Sequence, residues 1–217
     1  MQITLREPGS ALTHFIAMLL SIGAAIPLLI KASESGTLCL IAMFIFIASM
    51  ILLYGASATY HSVNLPAAMI KVFRKIDHAM IFVLIAGSYT PVCLLVLKPS
   101  LGYPLLAAVW SFAIVGIAVK ILWIGCPKWF SSVIYIAMGW LCLFVFMPIL
   151  HSIPRAAFGW LLAGGIIYTV GGILYAMKLP LFNARHKYFG SHEIFHLFVM
   201  AGSFCHYIFM YRYVIGM

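Results

Sequence analysis

The chain has 217 residues, 65% of them hydrophobic and only 8% charged. An ordinary soluble domain carries about 45–50% apolar and about 25% charged residues, so this composition excludes a water-soluble globule. Thirteen basic against four acidic residues give a formal charge of +9. The bases sit singly or in small groups between apolar runs, without a basic stripe or a recognition motif, so they speak for membrane topology and against nucleic-acid binding.

The apolar runs are unbroken rather than alternating, which predicts spanning helices and not a barrel. In chain order the predicted spans are roughly 11–30, 37–62, 76–97, 103–124, 129–150, 156–177 and 191–214, each with the ~20 residues needed to cross ~30 Å of hydrocarbon. The first carries His14 and is followed by Lys31 and Glu34 without a clear A-x-A site, so it reads as a retained helix and not a signal peptide. Pro91 is expected to kink the third span. Lys120, near one end of the fourth, is expected to snorkel to the interface. In the sixth, Gly164, Gly165, Gly171 and Gly172 resemble small-residue contacts between helices. The fold class is therefore all-α: an integral-membrane bundle of seven transmembrane helices, one domain over residues 1–217.

Nine bases (Arg6, Lys71, Arg74, Lys75, Lys120, Lys128, Lys178, Arg185 and Lys187) fall at one set of helix ends, and Lys31, Lys98, Arg155 and Arg212 at the other. The positive-inside rule then puts the N-terminus in the cytoplasm and the C-terminus outside a cytoplasmic (inner) membrane. Cys39, Cys93, Cys126, Cys142 and Cys205 are odd in number and lack CxxC spacing, so neither a disulfide framework nor a thiolate metal site is expected.

Polar residues at membrane depth are costly, and here they gather at one end. Ser57 and His61 lie on the last turns of the second span, Asp77 opens the third, and His192, Glu193 and His196 open the seventh. Residues at i and i+4 share a helix face, so His192 and His196 can point at one ion, and Ser57 and His61 share a face likewise. A catalytic zinc takes three protein ligands and keeps a fourth position open. His61, His192 and His196 supply three, with Asp77 as the base beside them. His206 lies about 15 Å further along its helix at ~1.5 Å per residue, too far to share the ion. His14, His78, His151 and His186 read as structural or interfacial. Other readings stay open: Asp77 pairing with Arg74, Lys75 or His78 at the surface, Ser57 bonding its own helix, and H-E-I-F-H as the zincin signature with Glu193 as general base.

The motifs S-A-T-Y-H at 57–61, K-I-D-H at 75–78, A-G-S-Y-T-P at 86–91, A-M-G-W at 137–140, G-G-I-I-Y-T-V-G-G-I-L-Y at 164–175 and S-H-E-I-F-H at 191–196 occur in one order along nearly the whole chain. Together they resemble the hemolysin III-like bacterial branch of the progestin and adipoQ receptor (PAQR) family, within a wider group of seven-helix hydrolases that includes alkaline ceramidases. The resemblance implies Zn2+ on His61, His192 and His196 near the cytoplasmic face, with Asp77 holding the water that zinc activates and Ser57 beside it. It implies zinc-dependent hydrolysis of a lipid amide and a part in membrane lipid homeostasis, with membrane lipids as partners. A non-enzymatic sensor with a structural zinc is the alternative from a different class. Hormone binding does not carry over, since the hormone receptors have a long N-terminal region where this chain has about ten residues. Pore formation, implied by the name hemolysin, finds no amphipathic pore-lining helix with repeated charge.

Overall fold

The computed structural model describes residues 5–123, 125–177 and 189–217. Among these it is helical without strands, and seven helical stretches are long and apolar enough to cross a membrane. Helix α1 (Pro8–Glu34) is joined to α2 (Thr37–Ser62) by Ser35 and Gly36 alone. Gly36 has φ +102°, the left-handed region that glycine enters without a Cβ penalty, so two residues suffice to reverse the chain. Helix α3 (Ala67–Pro91) passes at Pro91 into a wider π turn over Val92–Val96, where the regular hydrogen-bond ladder expected to break at this proline gives way. Helix α4 (Pro99–Leu122) follows. The fifth span is built from α5 (Lys128–Gly139), a tight 3-10 segment (Trp140–Val145) and α6 (Phe146–Ser152). Helix α7 (Arg155–Met177) is the sixth span, and α8 (Ser191–Phe209) with a π turn at Met210–Val214 is the seventh.

Prolines mark most of the helix starts. Pro8 and Pro99 are the first residues of α1 and α4, while Pro66, Pro127 and Pro154 immediately precede α3, α5 and α7. A proline there forfeits no intrahelical bond, because the first N–H groups of a helix have no partner in it.

The apolar pattern measures the hydrocarbon crossing and not the helix, and α3 shows the difference. It starts at Ala67, so Lys71, Arg74 and Lys75 ride on its first turns, and Asp77 lies well inside the helix where the sequence placed it at the start. Lys178, Arg185, Lys187 and His186 lie outside the described residues.

The helices pack as α1 on α2, α2 on α3 and α7 on α8, and α1 also touches α8. Helices α2 and α3 form the interior, with about half of each apolar window buried (50% and 56%), against 17% for the fifth and sixth spans. Leu12, Leu19, Leu20, Ile26 and Ile30 of α1 are exposed, as befits a face turned to lipid.

Lys120 does not snorkel. It is 2% exposed, and its Nζ donates to Cys126 Sγ at 3.0 Å and to Ser131 Oγ. Burial alone would push the Cys126 thiol up, but hydrogen bonds from Lys120 and Ser131 outweigh it and bring the thiol below its ordinary value. Polar partners in the short connection to α5 and on the first turn of α5 replace water for this ammonium.

Of the five glycines in α7, Gly164 and Gly171 are buried and face α8, where a Cβ would run into the ring of His206 and the Cβ of Phe198 respectively; Gly165 faces open space. Gly164→Leu is therefore expected to lower the stability of the bundle by about 1–3 kcal/mol through overpacking, while Gly165→Leu leaves it nearly unchanged. Thermal melts of the two purified variants in detergent check this.

Candidate metal centre

The end of α2, the second and third turns of α3 and the start of α8 meet in one layer. His61, Asp77 and His196 are buried there at 2%, 8% and 2% exposure. One ligand atom from each of His61, His192 and His196 lies within 4.8 Å of the others, so the cluster can take up a metal ion. The Nε2 atoms of His61 and His192 face each other at 3.3 Å. Their ring centroids are 5.0 Å apart, and those of His192 and His196 4.5 Å. The i, i+4 spacing explains why two of the three rings arrive from α8 on one face.

The donor chemistry fits an ion. Two buried imidazole nitrogens facing at 3.3 Å cannot both act as acceptors without a cation or a proton between them. Neutral imidazoles suit several transition metals, so the donor set does not by itself select one.

Asp77 forms no ion pair with Arg74, Lys75 or His78, so the surface-pairing alternative fails; its carboxylate points inward to share a hydrogen bond with Ser57. Helix α3 carries it past its first charged turns into the bundle, where it is buried and not ion-paired. Glu193 is equally committed: its carboxylate accepts from Gly190 N–H at 2.8 Å and from the Ser10 hydroxyl. It caps α8 and ties it to α1, which removes the zincin reading of a free general base. His206 Nε2 lies 3.4 Å from the carbonyl of Leu161 on α7, outside the cluster as its distance along α8 requires.

Ser57, Asp77, His192 and His196 line one end of a cavity of about 210 Å³. From there it runs between α3, α5, α7 and α8 to Phe146, Ile149 and Phe158, with a predominantly apolar wall. Along α3 and into the π turn that follows it, the lining extends from Asp77 to Val92, roughly 22 Å at ~1.5 Å per residue.

Helix α1 contributes residues that sequence reasoning did not assign to the site. The His14 ring stacks on His196 with centroids 3.5 Å apart and planes at 7°. Thr13 Oγ1 is 3.0 Å from His196 Nδ1. Glu7 meets His61 Nδ1 through its carboxylate, and its backbone N–H donates to the His61 carbonyl at 3.0 Å. The hydrogen bond from His61 holds the Glu7 carboxyl down to about 2, helped by the charge of Arg6 and opposed by partial burial. A signal was present: Glu7, Ser10 and His14 recur at helical spacing of three and four, a polar stripe on an otherwise apolar helix.

A family model described as Haemolysin-III related matches residues 2–207. "Hemolysin-3" of Bacillus cereus is 40% identical over 203 residues, covering 93% of this chain and 89% of that protein. "Hemolysin-3 homolog" of Bacillus subtilis is 41% identical over 198 residues, covering 91% and 89%. The "Adiponectin receptor protein" of Drosophila melanogaster is 29% identical over 237 residues, covering 93% of this chain and 49% of that protein.

Proposed function

We propose that this chain, which belongs to the Haemolysin-III related family, is a zinc-dependent hydrolase of a lipid amide, acting within the membrane and contributing to its lipid homeostasis. The observation that carries the reading is the junction of two features: three histidine ligand atoms within 4.8 Å of one another, and a long apolar cavity that opens onto two of those histidines and onto Asp77 and Ser57. A tetrahedral zinc with Zn–N bonds of ~2.0–2.1 Å has N···N edges of about 3.3–3.4 Å. The His61–His192 nitrogen separation of 3.3 Å supports that size.

His61, His192 and His196 would hold the ion. Zinc in such a site supplies Lewis acidity toward a carbonyl and lets water ionise near neutral pH. The rest falls to the chain. The Asp77 carboxylate takes a proton from the attacking water and returns it to the leaving nitrogen, so the amide C–N bond breaks to a carboxylic acid and an amine. Ser57, paired with Asp77, orients that carboxylate or donates to the developing oxyanion. The cavity excludes water and takes the acyl chain: one leaflet of hydrocarbon is about half of ~30 Å, less than the length of the lined track along α3. The positive-inside count supports placing the centre at the cytoplasmic face.

The test is incubation of zinc-loaded protein, in mixed micelles, with a ceramide and other N-acyl lipids. Release of free fatty acid, abolished by chelation and restored by zinc, is the expected result. Firmly bound zinc with no turnover of any lipid amide would favour the structural-zinc sensor instead.

A further inference from the structure

We infer that Glu7 and Thr13 of α1 are positioning residues of the metal centre, each engaging the outer nitrogen of one ligand histidine so that the inner nitrogen is presented to the ion. The inference rests on the metal-centre reading above, although neither residue is itself a ligand.

A neutral imidazole has one N–H donor and one acceptor nitrogen, and a metal binds the acceptor. An ionised carboxylate only accepts hydrogen bonds, so Glu7 assigns the proton of His61 to Nδ1 and leaves the lone pair on Nε2. That Nε2 is the atom facing His192 at 3.3 Å. Thr13 reaches the same result by a different route. Its hydroxyl lies 3.0 Å from the carbonyls of Gly9 and Ser10, and when its proton goes to either of them the oxygen accepts toward His196 Nδ1 at 3.0 Å. In that arrangement His196 carries its proton on Nδ1 and presents Nε2 to the ion. The Ser10 carbonyl is a further acceptor for this ring.

Glu7 is anchored in turn. Its backbone N–H holds the His61 carbonyl, its carboxylate pairs with Arg6 Nε at 3.4 Å, and the Arg6 guanidinium lies 4.1 Å over the Tyr60 ring. The carboxylate and the ring it orients are thus fixed to one turn of α2. His192 has no such support: its Nδ1 is buried without a hydrogen-bond partner. One helix that donates no ligand holds two ligands that belong to two other helices.

Carboxylate or hydroxyl partners of ligand histidines are typically worth about 10–100-fold in metal affinity. The full-length protein in detergent, stripped of metal, is titrated with Zn2+ against a chromophoric chelator, and with Co2+ for its visible absorption. Glu7→Ala is expected to weaken zinc about 10–100-fold. Thr13→Val falls toward the lower end because the Ser10 carbonyl remains. Both variants still take one ion at saturation, with a shifted cobalt spectrum, and the stripped proteins melt as wild type does. Thr13→Ser restores wild-type affinity, and Glu7→Gln, which keeps an acceptor oxygen, recovers part of the loss. Wild-type affinity in Glu7→Ala and Thr13→Val, while His61→Ala loses the ion, overturns this inference alone. A wild-type chain that takes up no ion overturns the metal centre with it. An equal loss in Thr13→Ser and Thr13→Val, or a lowered melting temperature of the stripped variants, assigns the effect to packing and also overturns it.

Discussion

Asp77→Ala is expected to cut hydrolysis of a lipid amide about 10²–10⁴-fold, the usual worth of a positioned acid–base group, while bound zinc stays at the wild-type level. The separation follows from the geometry: Asp77 lines the cavity beside the histidines and bonds Ser57, yet it is not one of the three clustered ligand groups. Turnover measured by fatty-acid release, with metal content determined on the same preparation, checks both halves. Asp77→Asn is the companion variant, since it keeps the shape and the bond to Ser57 but cannot take a proton. Turnover retained in Asp77→Asn would remove the carboxylate from the reaction.

The second large effect is on the ion itself. His61→Ala, His192→Ala and His196→Ala are each expected to lower bound zinc from about one per chain to below about 0.1, because two imidazoles do not complete the three-ligand set of a catalytic site. His196→Ala should cost most in stability as well, since its ring is 2% exposed and stacked on His14, and its removal leaves a buried void. Elemental analysis of protein purified without chelator, with melts in the presence and absence of zinc, measures both. Equal zinc in all three variants and the wild type would mean that the ion, if any, sits elsewhere.

The parts of the site legible in the sequence are those set by local geometry. The i, i+4 pairs His192/His196 and Ser57/His61 are properties of any helix, and seven spans follow from apolar length alone. What escaped was set by packing between distant segments. The polar stripe of Glu7, Ser10 and His14 is visible in the chain, but not that the Glu7 carboxylate meets His61, 54 residues away, or that Thr13 meets His196 across 183 residues. Asp77 lines the same cavity as His192 and His196, but its depth in α3 is hidden from hydropathy, which marks where a helix enters hydrocarbon, whereas α3 begins on the far side of three charged residues. Lys120 was misjudged because snorkelling presumes that water is the nearest polar partner, and here Cys126 and Ser131 are nearer.

The contact of α1 with both α2 and α8 bears on the order in which the protein is made. His61 and His192 are separated by 131 residues, and the turn of α1 beside them precedes both in the chain. A nascent chain that has inserted its first six spans owns Glu7, Thr13, His61 and Asp77 but only one of the three imidazoles. On the metal reading proposed above, capture of an ion has to wait for α8 to insert, and it then fastens α2 to a helix made much later. A chain lacking α8 would also lack the clasp that ion binding gives to α2 on that reading.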